Sequence, residues 1–298
     1  MDSVDLKIVK LFFQNCRISY REISEKNHIS LNVVYKRVQK MIDSGLIANF
    51  TAKPSNSYLK TINILIYGKF TVKNPKKMIK EIIRDEHVHF VGLATNNTVL
   101  VEAILRDTSE MHAYTEFVIN TAKMFQPFIG IKKIPNKMTS GDLYKTDYRI
   151  LNTIYNEARM SFKEISGKIG ISTKTVKKRI QTMLDENLVD FSIDFAPHLE
   201  GMIISNFNIR INSERKSDQE YQKILQNFEE NILYLQQFSN KPKNIMLTTI
   251  VKSNSELSEL YSKLQDINYS EIEQLVIFHG EFNKTWRDRL FQKKLEEL

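Results

Sequence analysis

Apolar residues recur at helical spacing near the start of the chain and again farther along it. Ile8, Leu11 and Phe12 share one face of a predicted helix that begins at Asp5, because residues three and four positions apart lie on the same side of an α-helix. A similar pattern restarts at Asp147. Two amphipathic helices therefore open two stretches of similar design.

A second helix is predicted behind each of these first helices. Ser19 and Glu22 have the spacing of a capping box, and so do Ser161 and Glu164. In a capping box the hydroxyl accepts from the third backbone amide, while the carboxylate reaches back to the amide of the cap residue. Both stretches thus carry the same helix-start signal.

A tight turn and a third helix complete the pattern in both stretches. His28 stands where the later stretch has Gly170, so His28 is predicted to adopt the left-handed backbone conformation of a turn. Ser30 and Ser172 are predicted to cap the third helices. The order helix, helix, tight turn, helix is that of a helix-turn-helix motif.

Short β-prone segments follow the third helices, at residues 46–52 and 188–195. In the later segment Val189, Phe191 and Ile193 alternate with polar residues, which is typical of a half-buried strand. We expect a hairpin directly behind each third helix, which would make both motifs winged.

The remainder of each stretch is predicted to alternate between strands and helices. In the first copy, strands are predicted at 62–70, 88–93, 99–105 and 128–134, with helices at 75–84 and 109–122. In the second copy, strands are predicted at 202–211, 232–239, 245–251 and 272–278, with helices at 218–230 and 255–266. This order is βαββαβ, the ferredoxin-like arrangement. Because its helices cover one face of the sheet, we expect the two uncovered faces to pair with each other.

The chain is a tandem repeat. Shifted by 142 residues, the segment from Asp5 to Ile47 aligns without a gap on the later stretch, and about 17 of 43 pairs are identical. The fold class predicted is α+β, with two copies of a winged helix-turn-helix followed by a ferredoxin-like βαββαβ domain. The predicted domains are 1–53 and 143–197 (winged helix-turn-helix), 58–135 and 201–280 (ferredoxin-like), and 283–298 (a C-terminal helix).

Charge is distributed unevenly along the chain. The net charge is +8, but residues 1–50 and 143–192 each carry +3, residues 51–142 carry +5 and residues 193–298 carry −3. A basic excess on both helix-turn-helix copies is compatible with nucleic acid. The opposite charges of the two ferredoxin-like copies suggest that complementary charge helps them to pair.

Composition excludes several classes of protein and site. Cys16 is the single cysteine, so an intrachain disulfide and a multi-cysteine zinc site are excluded, and Cys16 is interpreted as an inert small residue. No apolar run approaches the roughly 20 residues of a membrane span. We expect no metal and no cofactor, and a location in the cytoplasm at the nucleoid.

The combination of motifs resembles the Lrp/AsnC, or feast/famine, transcriptional regulators. The residues that carry the resemblance are Asp2-x-x-Asp5-x-x-Ile8, Arg17-Ile18-Ser19, Glu22-Ile23-Ser24, Ile29-Ser30, Arg37-Val38 and Gly45-Leu46-Ile47, with Asp147-x-x-Ile150, Arg159-Met160-Ser161, Glu164-Ile165-Ser166, Ile171-Ser172 and Arg179-Ile180 in the second copy. Members of that family are usually single units that dimerise through their α/β domains. The resemblance therefore implies a fused dimer that binds double-stranded DNA.

The resemblance also implies further partners. Regulators of this family sense small molecules such as amino acids near a Gly-x-x-Asp turn. Here the first copy has Gly92-Leu93-Ala94-Thr95 and the second has Ser239-Asn240-Lys241-Pro242, without the aspartate. No residue is therefore assigned to an effector. Two tandem chains are also expected to be able to form a homodimer.

The third helices hold the candidate DNA-contacting residues. Val34, Val38 and Met41 are predicted to face the core, and a recognition helix reads base edges with its first turns. The residues predicted to contact DNA in the first copy are Ser30, Leu31, Asn32, Tyr35, Lys36, Arg37 and Lys40. Those in the second copy are Ser172, Thr173, Lys174, Lys177, Lys178 and Arg179.

The two sets differ in chemistry. Asn32 can bond adenine bidentately, and lysine favours guanine or phosphate. The second copy has more charge and fewer shape-specific groups, so we expect it to depend on phosphate contacts. A degenerate motif with merely solvated lysines is the alternative.

Arg37 and Arg179 have a second interpretation. Both lie only about 60° from the apolar stripe of the third helix, at 100° per residue. An internal ion pair with Glu22 or Glu164 is therefore as well supported as a phosphate contact.

Three functions compete at this point. A sequence-specific DNA-binding transcriptional regulator is favoured, and no enzymatic activity is expected. Sirohaem decarboxylases resemble this family in architecture, but they depend on histidine and arginine clusters, and these residues are scattered here. A protein-binding module that has lost DNA contact is the third. The C-terminal helix, with Trp286, Leu290 and Phe291, is expected to pack on the second ferredoxin-like domain, with an oligomer contact as the alternative.

Overall fold

The computed structural model describes residues 1–133, 139–196, 201–212 and 214–290. The first copy contains α1 (Ser3–Asn15), α2 (Tyr20–Asn27), α3 (Leu31–Asp43), β1 (Ile47–Pro54), α4 (Asn56–Leu59), β2 (Ile62–Lys69), α5 (Pro75–Ile82), β3 (Val88–Ala94), β4 (Thr98–Leu105), α6 (Met111–Ala122) and β5 (Phe125–Ile131). The second contains α7 (Lys145–Ile154), α8 (Phe162–Ile169), α9 (Thr173–Asp185), β6 (Val189–Phe195), β7 (Ile203–Arg210), α10 (Ser217–Asn227), β8 (Ile232–Gln237), β9 (Asn244–Val251), α11 (Asn254–Asp266) and β10 (Glu271–Phe282).

These elements form two compact units. The winged unit comprises, among the described residues, 1–60, 139–196 and 286–290, and the sheet unit comprises 61–133, 201–212 and 214–285. Each unit therefore combines the equivalent halves of both copies. Within the described ranges, no helix has the length and hydrophobicity that crossing a membrane requires.

The predicted order of helices and strands is confirmed in both copies, with small differences at the ends. The helix predicted to end at 84 ends at Ile82, and the short helix α4 was not predicted. The strand expected at 128–134 runs from Phe125 to Ile131, and its predicted end at residue 134 lies outside the described residues. The proposed domain limits at 135 and 197 also lie outside them.

The helix caps form as their residue types dictate. Ser19 and Ser161 each close a capping box with the glutamate three residues later. His28 has φ 53°, the left-handed conformation, and Gly170 has φ 71° at the equivalent turn. The tight turn between the second and third helices is therefore set by local sequence in both copies.

The predicted hairpins behind the third helices are wrong. Each copy contributes a single strand, and β1 pairs with β6 of the other copy in a two-stranded antiparallel sheet. Buried side chains such as Phe191 and Ala52 lie on this ribbon. Since a lone strand leaves its backbone amides and carbonyls unpaired, each copy satisfies them with the strand of the other.

The register of this ribbon relates the two copies by an approximate twofold axis. Phe50 is paired with Ile193, and Thr51 is paired with Ser192. Adding or subtracting 142 converts the first pair into the second, so exchanging the copies preserves the pairing. The contact is of the kind that a symmetric dimer forms, here within one chain.

The sheet unit contains one eight-stranded sheet, in the order β5-β2-β4-β3-β10-β7-β9-β8. Each copy contributes four adjacent strands in the ferredoxin-like order, and the two halves join where β3 pairs with β10. Gly92 lies opposite Gly280 at this seam, and the Phe90 ring covers both glycines. The aromatic ring fills the space that the two missing side chains leave open.

The two helix-free faces also pack against each other, as expected. Leu65, Tyr67 and Leu100 of the first copy form one cluster with Phe238 and Leu275 of the second. A larger apolar cluster lies between each half-sheet and the helices of the same copy. This contact is mainly apolar, so charge complementarity contributes less than the sequence suggested. An ion pair of 3.1 Å across the copies, between Lys133 and Asp218, is solvent-exposed and therefore weak.

The opposite edges of the sheet, β5 and β8, meet through a short backbone bridge and a side chain. A bridge links Lys132 to Phe238, and beyond it the Asn240 amide takes the place of a strand. Ile131 N donates to Asn240 Oδ1 at 2.8 Å, and Asn240 Nδ2 donates to Ile129 O at 3.0 Å. One asparagine thus supplies the donor and acceptor that a neighbouring peptide group would offer.

The predicted packing of the C-terminal helix is wrong. Residues 286–290 are helical and belong to the winged unit, and residues 291–298 lie outside the described residues. Arg287 donates to the Pro54 carbonyl at 2.6 Å and pairs with Asp190 at 2.6 Å. Both partners lie on the β1–β6 ribbon, so polar groups of the ribbon determine where the helix docks.

We expect Gly130→Ala to destabilise the sheet unit by about 1–3 kcal/mol, the usual cost of overpacking a filled core. A Cβ at Gly130 would overlap the Phe238 ring, which is 1% exposed and has no room to move. Urea unfolding followed by circular dichroism measures the change. The matched control is Gly167→Ala on α8, where a Cβ meets nothing within 4 Å. That change should stabilise by about 0.5–1 kcal/mol. Equal effects of the two substitutions would contradict the proposed packing.

Candidate nucleic-acid interface

The third helix of the first copy, α3, buries one face and leaves the other exposed. Val34 and Val38 are 0% exposed and Met41 is 3% exposed, which confirms the predicted core stripe. Ser30 caps the helix by accepting from the Val33 amide at 3.3 Å. The outward face is therefore held by an apolar stripe behind it and by a cap at its start.

The outward face of α3 carries most of the residues predicted to contact DNA. Those that are exposed are Ser30, Leu31, Asn32, Tyr35, Lys36 and Lys40. Leu31 is 53% exposed and Tyr35 is 55% exposed, so both side chains are accessible on the outward face. Tyr35 stands edge-on to the Tyr20 ring at 6.2 Å, so its aromatic plane is fixed from behind.

The equivalent helix α9 presents a more polar surface. The predicted contacts Ser172, Thr173, Lys174, Lys177 and Lys178 are exposed. Ser172 accepts from the Thr175 amide at 3.1 Å and so caps the helix, as Ser30 does. At the positions of Leu31 and Tyr35, α9 has Thr173 and Lys177. The two surfaces therefore have the same frame and different chemistry.

Arg37 forms an internal ion pair, but the predicted partner is wrong. Its guanidinium lies 2.7 Å from Asp5 Oδ1 and 2.8 Å from Asp2 Oδ2, at the start of α1. Glu22 is instead occupied by its capping box, where it accepts from the Ser19 amide at 2.9 Å. The hydrogen bonds that Arg37 donates to Asp5 and Asp2 raise the pKa of its guanidinium, so its positive charge is balanced by carboxylates inside the protein.

Arg179 repeats this arrangement with Asp147, not with the predicted Glu164. Its Nε donates to Asp147 Oδ1 at 2.6 Å, and a second contact joins Arg179 Nη2 to Asp147 Oδ2. The Asp147 side chain is 0% exposed and also accepts from the Tyr144 amide at 2.8 Å. In both copies, then, a carboxylate at the start of the first helix fixes an arginine of the third.

Two arginines that the sequence indicated only as part of the family resemblance, with no role assigned, join the two copies. Arg159 donates to the Cys16 and Ile18 carbonyls, the latter at 2.9 Å. Arg17 donates in return to the Ala158 and Met160 carbonyls, the latter at 3.2 Å. We call this reciprocal pair the arginine clamp. Its signal in the sequence was the identical Arg at the same place in both copies.

The arginine clamp is largely shielded from water. The Arg159 guanidinium lies 4.5 Å from the centre of the Tyr20 ring, and Arg17 lies 4.7 Å from that of Phe162. Burial lowers the pKa of both guanidinium groups. Burial likewise raises the pKa of the Cys16 thiol to about 12, which agrees with an inert role for this residue.

Comparison with known proteins agrees with this geometry. A family model described as winged helix-turn-helix DNA-binding matches residues 1–48 and 145–190. An HTH-type transcriptional regulator of Pyrococcus furiosus is 30% identical over 155 residues, which are 50% of this chain and 97% of that protein. The HTH-type transcriptional regulator Ptr1 of Methanocaldococcus jannaschii is 31% identical over 115 residues, which are 37% of this chain and 76% of Ptr1.

The chain belongs to the Lrp/AsnC family of helix-turn-helix transcriptional regulators. A relative matched almost completely by half of this chain, and a family model matched twice, make it a tandem member of that family. The crystal structure of the siroheme decarboxylase NirDL covers 99% of both chains with a TM-score of 0.62 at 11% identity. At this low identity the likeness shows only that this Lrp/AsnC protein shares its fold with NirDL.

We expect Asp147→Asn to destabilise the winged unit by about 2–3 kcal/mol. Removing one partner of a buried ion pair costs about 3–5 kcal/mol, and Arg179 keeps 20% exposure, which reduces the loss. Urea unfolding at one pH measures the loss of unfolding free energy in this variant and in a control. The matched control is Asp5→Asn, where Arg37 retains Asp2, so the loss should be smaller. If Asp5→Asn were the more damaging of the two, the assigned roles would be wrong.

Proposed function

We propose that this Lrp/AsnC protein is a sequence-specific DNA-binding transcriptional regulator with two unlike DNA-binding heads on one chain. The first head is the helix-turn-helix that contains α3, and the second head is the one that contains α9. The observation that carries the proposal is the pair of capped third helices, α3 and α9, whose outward faces are exposed while their inward faces are buried. A helix presented in this way fits the major groove of B-DNA. The family membership supports the assignment to transcription.

The first head is proposed to read bases. Asn32 on the first turn of α3 has the amide geometry that pairs with adenine, and Lys36 one turn later can reach guanine or phosphate. Leu31 and Tyr35 supply apolar contact of the kind that thymine methyl groups accept. Ser30 and Lys40 are assigned to the DNA backbone. Arg37 is removed from the contacting set, because Asp2 and Asp5 hold its guanidinium.

The second head is proposed to bind mainly through phosphate. Lys174, Lys177 and Lys178 present three positive charges, and Ser172 and Thr173 at the helix start suit backbone contacts. Because phosphate contacts carry no sequence information directly, this head should discriminate less than the first. Arg179 is assigned to positioning α9 through Asp147.

Two unlike heads fixed to one frame favour an asymmetric operator. The β1–β6 ribbon and the arginine clamp hold the heads together, so the spacing of their half-sites should be constant. Half-sites about 34–36 Å apart, or a multiple of that distance, are expected. A palindromic operator would require two tandem chains, and such a homodimer is part of the proposal.

The proposal includes neither catalysis nor a cofactor. An amino-acid effector is retained as a proposed ligand, with no residue assigned, and the cytoplasm at the nucleoid is the proposed location. The sirohaem alternative is decided by adding the tetrapyrrole to purified protein. A Soret band at stoichiometric protein, followed by decarboxylation, would replace the regulator proposal with an enzymatic one.

We expect Asn32→Ala to relax the preference at one base pair by about 1–3 kcal/mol while overall binding persists. The operator is first selected from a random DNA library, and anisotropy then measures affinity for it and for its single-base variants. The matched control is Lys174→Ala at the equivalent position of α9. That change should weaken binding to all sequences alike and reduce the salt slope by about 0.9.

A wild-type protein that prefers no selected sequence over random duplex would contradict the proposed function. Loss of preference with Lys174→Ala, and none with Asn32→Ala, would reverse the roles assigned to the heads.

A further inference from the structure

The helix α5 in the sheet unit carries a concentrated positive face. Met78, Ile79 and Ile82 are buried against the sheet and form its inward side. Lys76, Lys77 and Lys80 are exposed. At 100° per residue, these lysines lie within an arc of about 100° on the side opposite the buried stripe.

Two residues that flank α5 extend this face. Lys73 precedes the helix and Arg84 follows it, and both are exposed. We call Lys73, Lys76, Lys77, Lys80 and Arg84 the basic face. Within the described ranges, no ion pair involves any of the five. One acidic residue, Glu81, is exposed beside them, so the local excess is strongly positive.

The second copy shows that the fold does not require this charge. Under the shift of 142 residues, the start of α5 at Pro75 corresponds to the start of α10 at Ser217. Lys76, Lys77, Lys80 and Arg84 correspond to Asp218, Gln219, Gln222 and Gln226.

The inward side, in contrast, remains buried, since Ile82 corresponds to Ile224 and Met78 to Glu220, both of which are buried. At the position of Lys73 stands Arg215, which is paired with Glu220 at 3.4 Å. The same helix therefore packs on the same kind of sheet without a free basic face. A purely structural role does not explain five unpaired positive charges in one copy.

We propose that the basic face is a second, sequence-independent DNA-binding surface, which contacts phosphates outside the bases that the recognition helices read. The inference rests on the proposed function, since it assigns a duplex as the partner. Double-stranded DNA carries one negative charge per about 1.7 Å, and lysine binds phosphate as a point charge. Lys76 and Lys80 lie about 6 Å apart along the helix axis, at 1.5 Å per residue. A row of exposed charges at this spacing can neutralise several phosphates at once.

The test compares two triple variants of the full-length chain. Lys76→Gln, Lys77→Gln and Lys80→Gln together neutralise the basic face. The matched control combines Lys216→Gln, Lys252→Gln and Lys263→Gln, three exposed lysines of the same unit in the second copy. Both variants remove three positive charges, so a general effect of net charge is the same in both. Affinity is measured against salt on the selected operator, extended by about 30 bp, or roughly three helical turns, on each side.

For the basic-face variant we expect a salt slope that is less steep by up to about 2.7, at roughly 0.9 per phosphate contact. The ratio of operator to random-duplex affinity should stay within about twofold of wild type, and the control should keep the wild-type slope. A wild-type slope in the basic-face variant would overturn the inference and leave the proposed function intact. Equal slope changes in both variants would overturn it as well.

Two further results distinguish DNA binding by the basic face from a loss of all DNA binding and from chain association. Failure of the wild-type chain to bind any duplex would defeat the proposed function itself. Sedimentation velocity without DNA tests whether the basic face instead binds the acidic surface of a second chain. A shift toward smaller species in the basic-face variant alone would assign that surface to chain association and overturn the DNA assignment.

Discussion

The pairing of β1 with β6 is the contact on which the winged unit depends. Neither strand has a partner within its own copy, so each supplies the hydrogen bonds that the other lacks. The arginine clamp reinforces the same junction from the turns behind α1 and α7. Since the backbone groups and guanidinium contacts belong to both copies at once, neither helix-turn-helix motif is complete without the other. The two copies therefore fold together rather than as two separate domains.

The residues that build the frame and those that contact the outside have diverged differently. The serine caps of the second and third helices, the clamp and the Asp–Arg ion pair between first and third helices keep the same residue types in both copies, as Ser19 with Ser161 and Arg17 with Arg159 illustrate. The exposed positions do not, as Leu31 against Thr173 illustrates. Packing and hydrogen bonding restrict a residue to few alternatives, whereas an exposed position is restricted mainly by its partner. The divergence of α3 from α9, and of α5 from α10, follows from this difference.

The sequence predicted the elements better than it predicted their partners. Periodicity and capping signals are local, so the helices, the left-handed turn at His28 and the βαββαβ order could be derived from short windows. The partner of β1 could not be derived in this way, because no residue pattern within an edge strand specifies which other strand it pairs with. For the same reason, the sequence indicated an internal ion pair for Arg37 but not which carboxylate forms it. The exposed surfaces of α3 and α9 were predictable because amphipathic periodicity alone decides which face is outward.

The seam at Asn240 shows what fusing two copies permits. In a dimer of identical chains, any substitution at a contact appears twice, so a solution that suits one edge must suit both. Here β3 pairs with β10 along a full seam, while the opposite edge is completed by two backbone hydrogen bonds and one side-chain amide. The partners are also covalently joined, so their association is intramolecular and does not weaken on dilution. A tandem chain of this kind remains assembled even at a few molecules per cell, where separate protomers would dissociate.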